Sequence, residues 1–228
     1  MNALELLIGA SLTSIVITAA GSGLISIINA NQKAETESRT RSNITRTLDY
    51  ISDEIRMANQ INKTPTTAQT TAAQAVVAAG LQNVLGSSTF PVLYLEMPAG
   101  RCWGLPTTDK VIFFVASASG TPWLPPAVLY RYGRIPGNDG QVNGCSMPIT
   151  QAILDGILDT NVGNLLSCPS PGIMSTAFSV GSCVEGGKVT MAIAGKKIPH
   201  HLGTTTPDCN APQPPFCLHT TTTSRVFK

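Results

Sequence analysis

The chain opens on an uninterrupted apolar stretch. From Leu6 to Ile28 (LLIGASLTSIVITAAGSGLISII), twenty-three residues carry no charge; Glu5 precedes them and Lys33 is the next charged side chain. As a helix at ~1.5 Å per residue this run spans roughly 35 Å, enough to cross the ~30 Å hydrocarbon core of a bilayer. Beyond it the apolar positions become periodic. Ile44, Leu48, Ile51, Ile55 and Ala58 recur at spacings of four and three, which draws one apolar stripe along a 3.6-residue helix. Glu35–Arg39 and Glu37–Arg41 stand at i,i+4 on the solvated side. The pattern predicts one helix of roughly 55 to 60 residues, ended at the latest by Pro65.

After a Thr-rich connector at Thr64–Thr71, Ala72–Leu85 (AAQAVVAAGLQNVL) predicts a short second helix. The period then changes to two. Pro91–Met97, Lys110–Ser117 and Ala127–Arg134 read as strands, and the middle one, apolar on both faces, belongs centrally under the helix. Gln151–Leu158 reads as one or two helical turns. Ser175–Ser182 and Lys188–Ala194 read as a hairpin turning around Glu185-Gly186-Gly187, and Thr220–Phe227 as a strand closing the sheet. Strands joined without long helices favour an antiparallel sheet. The fold class expected is α+β: residues 1–61 a long N-terminal helix, with 1–30 its apolar half and 31–61 its amphipathic half, and residues 62–228 a β-rich head.

Composition sharpens this. Charged residues make up 12% and net charge is +2, which gives no case for nucleic acid or an acidic partner. All six cysteines, Cys102, Cys145, Cys168, Cys183, Cys209 and Cys217, fall after residue 100. An even count behind a membrane-crossing segment favours disulfides in an oxidising compartment, and the absence of C-x-x-C spacing argues against zinc. Six cysteines allow 15 connectivities. Sequential pairing, Cys102–Cys145, Cys168–Cys183 and Cys209–Cys217, is the simplest expectation, each pair closing one loop-sized stretch.

Three readings compete for the N-terminal run. A signal peptide needs a basic start and a small-residue cleavage site, yet the start is Met-Asn-Ala-Leu-Glu. A plain anchor leaves Glu5 unexplained. A carboxylate at the head of an apolar helix is costly in lipid and usually marks a function. A free Met1 amine about one turn away supplies the opposite charge, so stacked identical helices can neutralise Glu5.

Met1-Asn2-Ala3-Leu4-Glu5-Leu6-Leu7-Ile8-Gly9 resembles the mature N-terminus of a type IV pilin or type II secretion pseudopilin. Such chains are cut after a glycine, often N-methylated, and carry glutamate fifth. The resemblance implies that a leader has already been removed. Leu48-Asp49-Tyr50-Ile51-Ser52-Asp53-Glu54-Ile55-Arg56-Met57-Ala58 is similar to the end of the first helix in larger minor pilins and J-type pseudopilins. The sequence departs from the family pattern in Met at the first position and in having Gly21-Ser22-Gly23 where a proline is common. Poor helix formers and hydroxyl side chains at that place predict a loss of helical regularity between Thr13 and Leu24. The resemblance implies a pilin-like fold: the long helix packed through Ile44, Leu48, Ile51 and Ile55 on an antiparallel sheet head with disulfide-stapled loops.

No catalytic constellation, cofactor fingerprint or metal motif emerges, so the expectation is not an enzyme and no cofactor. His200, His201 and His219 near Asp208 read as exposed loop histidines, and Asp155, Asp159 and Asn161 lack the EF-hand pattern. Asn43 and Asn62 open N-x-[ST] triplets and are glycosylation candidates. The function expected is a structural subunit of an extracellular type IV pilus-like filament, with Met1 and Glu5 in assembly; the alternative is a pseudopilin of a type II secretion machine. Expected partners are further copies, other pilins, the assembly machinery and the inner membrane before assembly.

Overall fold

The computed structural model describes residues 3–61, 89–98, 108–135, 142, 145–157, 168, 173–177, 179–185, 187–195 and 216–223. The chain divides into two compact units, Met1–Thr40 and Arg41–Lys228. The first is helix alone; the second holds the rest of that helix and every strand described.

Helix α1 runs from Ala3 to Met57 without interruption. The expected loss of regularity between Thr13 and Leu24 is absent from the single chain. Thr13 Oγ1 donates to the Gly9 carbonyl (2.7 Å) and Thr18 Oγ1 to that of Ser14 (2.8 Å), so the hydroxyls bond back onto an intact helix. Without proline no backbone donor is missing, and two glycines cost about 1 kcal/mol each, too little to break a long helix. The helix ends before Pro65 because its donors change partner. Ala58 N still reaches the Glu54 carbonyl, but Asn59 N donates to Glu96 O at 2.8 Å and the chain enters β1 (Gln60–Ile61).

The strands β2 (Thr89–Pro98), β3 (Thr108–Ser117), β4 (Ala127–Gly133) and β5 (Ile149–Ile157) form an antiparallel meander; β6 (Ile173–Ala177), β7 (Val180–Glu185) and β8 (Lys188–Gly195) form a second, with β9 (Phe216–Thr223) on β8. Among the described residues the two meanders pair at Ile157↔Gly195. They also pack face to face. β7 lies against β2, where the buried Ser182 hydroxyl donates to Val92 O (2.5 Å).

Alternation places the core. Leu93, Leu95, Val111, Phe113, Val115 and Leu129 point to the α1 side, joined there by Val180, Val189, Met191 and Ile193 from the second meander. Ile44, Leu48, Ile51 and Ile55 complete this core, none more than 4% exposed. At ~1.5–3 kcal/mol each, burying these four favours docking by on the order of 6–12 kcal/mol before ordering entropy. Phe113 is in that cluster. Phe114 is on the opposite face with Tyr94, Ile112, Val128 and Tyr130, its ring stacked on Tyr130 at 5.4 Å.

Three expectations need correction. Of Gln151–Leu158, residues 151–157 are not helical: they form most of β5, paired with β4, and Leu158 lies outside the described residues. Their apolar positions suit either period, and pairing with β4 decides. The ladder is irregular there, and Gly156 takes φ +67, open to a residue without Cβ. Ser175–Ser182 is not one strand but parts of β6 and β7, which reverse between Ala177 and Val180. The closing strand, β9, begins at Phe216, ahead of the expected Thr220, and holds Thr220–Thr223; residues 224–227 lie outside the described residues. The second helix expected at Ala72–Leu85 falls outside the described residues.

Candidate functional site

In the first unit, every described side chain from Leu7 to Ile28 is exposed. Leu7, Ile8, Leu12, Val16, Ile17, Leu24, Ile25 and Ile27 are all at least half exposed. At 100° per residue these positions point in every direction around the axis. A helix apolar all round is ordinarily a buried one, in a membrane or among other helices. Length and hydropathy are sufficient for a membrane span. The hydroxyls do not spoil this surface, since Ser11, Thr13 and Thr18 each bond to a carbonyl of their own helix. At Gly9, Gly21 and Gly23 a Cβ would meet nothing within 4 Å among the described residues. Glu5 is on this helix, but its side chain, like Met1, lies outside the described residues.

In the second unit, α1 is fastened to the sheet by a buried ion pair. Arg131 Nε donates to both oxygens of Glu54, at 2.7 and 3.0 Å, and the two side chains are 0% and 1% exposed. Arg131 also donates to the carbonyls of Gly133 (3.2 Å) and Arg134 (2.8 Å), and Tyr50 Oη donates to Glu54 Oε1 (3.0 Å). Burial pushes the Glu54 carboxyl up, against the Arg131 charge and the Tyr50 hydroxyl, which pull it down. Tyr50 is pushed up to about 12, by burial first and then by the Glu54 charge, so it stays a donor at neutral pH. The pair binds helix to strand through groups 77 residues apart.

The sequence reading missed this pair, although its signal was present. Glu54 falls between Ile51 and Ile55 on the apolar stripe, and Arg131 alternates with Leu129 on the core face of β4. Opposite charges on two faces that must be buried together point to each other.

The remaining candidates are placed as follows. Cys168 and Cys183 form a disulfide with Cα atoms 5.5 Å apart, and Cys145 is also disulfide-bonded. The expected pairs Cys102–Cys145 and Cys209–Cys217 each include a residue outside the described set. Asn43 is exposed on α1; Asn62, His200, His201, Asp208, Asp159 and Asn161 lie outside the described residues, as does the side chain of His219. Among the described residues, no three His, Cys, Asp or Glu side chains converge as a metal-ligand set. No family model matches this chain, and no curated protein or solved structure matches it.

Proposed function

We propose that this chain is a structural subunit of an extracellular type IV pilus-like filament and polymerises through its N-terminal helix. The observation that carries the reading is the helix surface at residues 7–28, apolar on every side and exposed at every described side chain. A lipid bilayer satisfies such a surface before assembly, and a bundle of identical helices satisfies it afterwards. The resemblance of residues 1–9 to mature pilins points to the second environment as the working one, with the head carried outside the cell.

In this reading Glu5 sets the register. An ionised carboxylate in a core of apolar helices must be paired or protonated. The Met1 amine of an adjacent subunit, or of the same chain, is the nearest cation the sequence offers. At ~4 Å and an effective dielectric of 20 the attraction is roughly 4 kcal/mol before desolvation, so it rewards one stagger of the helices over others.

The test is the amount of filament sheared from cells relative to subunit retained in the membrane. Glu5→Ala leaves the head folded and the helix in the membrane but blocks or slows incorporation; Glu5→Asp, with its shorter arm, is intermediate. Wild-type filament from Glu5→Ala refutes a role for this carboxylate in assembly. Imaging separates the alternative: surface filaments that disappear with this chain support a pilus, and their absence from producing cells favours a short secretion-machine pseudopilus.

A further inference from the structure

The second unit carries a cleft of about 260 Å³ between α1 and β5. Asn43, Arg46 and Thr47 form its helix wall, Ile153 and Asp155 its strand wall, and Trp123 stands at its side. The walls are fixed to one another. Thr47 Oγ1 reaches the carbonyls of Asn43 (2.9 Å) and Ile153 (3.3 Å), which ties helix to strand. The segment bearing Trp123 is pinned to β5 twice: Leu124 N donates to Asp155 Oδ2 (3.2 Å), and Gly156 N donates to Leu124 O (3.0 Å).

Among the described residues, the groups that line this fixed cleft have few partners. Trp123 keeps 44% of its surface exposed, and among the described residues its backbone N–H is bonded to Thr121 Oγ1 while its indole N–H has no partner. The side chains of Asn43 and Arg46, one helical turn apart and both exposed, make no hydrogen bond or ion pair among the described residues. An aromatic face and an aliphatic side chain thus stand beside a carboxamide, a guanidinium and a carboxylate. One cation and one anion leave the lining without net charge.

We propose that this cleft is a saccharide site that takes one neutral pyranose ring. A pyranose presents a flat patch of C–H groups on one face and a rim of hydroxyls. The patch matches the indole and Ile153; the rim matches donors on Asn43, Arg46 and Trp123 and the acceptor on Asp155. The volume lies just under the ~300–1,000 Å³ that holds a drug-sized ligand, which suits a single ring. A charged ligand would leave either Arg46 or Asp155 facing its own sign. The site is independent of how the N-terminal helix assembles.

The test uses the full chain in a detergent without a sugar headgroup. An array of immobilised glycans ending in neutral hexoses, N-acetylhexosamines or uronic acids identifies the terminal ring. Titration with the matching methyl glycoside then gives an affinity by calorimetry. Saturable binding to neutral termini is expected. Trp123→Ala weakens it about tenfold, the scale of one lost aromatic face, and Asn43→Ala weakens it further. All three variants, with Arg46→Ala, alter exposed groups, and circular dichroism checks that each is folded. No retention of any glycan above the detergent blank overturns the proposal. So does selection of uronic acids alone, or undiminished affinity in folded Trp123→Ala.

Discussion

Replacing Arg131 with methionine tests how the helix is held to the head. The guanidinium is fully buried and makes four contacts: two to Glu54 and one each to the Gly133 and Arg134 carbonyls. Methionine has comparable length and no donor, so Glu54 remains buried with only the Tyr50 hydroxyl. Breaking one side of such a pair costs about 3–5 kcal/mol, because the surviving charge keeps its desolvation penalty. For a unit of this size 1 kcal/mol moves the midpoint roughly 2–4 °C, so the loss is roughly 6–20 °C. Removing both charges, Glu54→Leu with Arg131→Met, removes the penalty with the attraction. The double variant is expected within about 1 kcal/mol of wild type, or above it. The pH dependence has a definite sign. The folded carboxyl is raised above its unfolded value, so between those two values the folded state binds more protons than the unfolded one. Stability contributed by Glu54 is therefore greatest below the unfolded pKa and falls as pH rises through the folded one. Arg131→Met removes the cation that opposes this shift, and so recovers part of its loss on acidification. Urea unfolding of the full chain in detergent, followed by near-ultraviolet circular dichroism from neutral pH down to about 4, reads both variants against wild type. A single variant within 1 kcal/mol of wild type, or a double variant as damaged as the single, would refute the argument.

Other substitutions probe the neighbouring parts. Leu48→Ala, in the same unfolding assay, is expected to lose roughly 2–5 kcal/mol, since the site is 4% exposed inside the shared core; an unchanged midpoint would mean that the stripe does not hold the head. Cys168→Ser with Cys183→Ser opens a link across a sequence separation of 15 and costs about 3 kcal/mol by chain entropy, read as the difference between the variant and the oxidised protein. Gly133→Ala is strained twice: φ is +152, and a Cβ would stand 2.9 Å from Val111 Cγ2 and 3.0 Å from the Lys110 carbonyl. A loss above about 1 kcal/mol is expected, and a neutral result would show that β3 yields there.

What the sequence made legible follows from how locally each signal was written. The spacing of Ile44, Leu48, Ile51 and Ile55 stated the helix and its inner side together, because one period encodes both. β2, β3 and β4 were legible from alternation and from the turn residues between them. β5 was not: the apolar positions of Gln151–Leu158 fit a helical turn as well as a strand, and β4, which decides the matter, lies elsewhere in the sequence. The reversal between Ala177 and Val180 was hidden because Ser179 is no strong turn residue and Gly, Pro and Asn are absent there. Glu54 and Arg131 were legible only as a pair, and single-element reading treats each charge as surface.

The core that the two meanders share has a consequence for how the head opens. The rungs within each meander are many, so each is a unit that exchanges its amides together. Side chains couple the two, with Val180, Met191 and Ile193 in one cluster with Leu93, Phe113 and the helix stripe. Shrinking one of those side chains loosens both meanders at once, whereas fraying the end of β6 stays within its own.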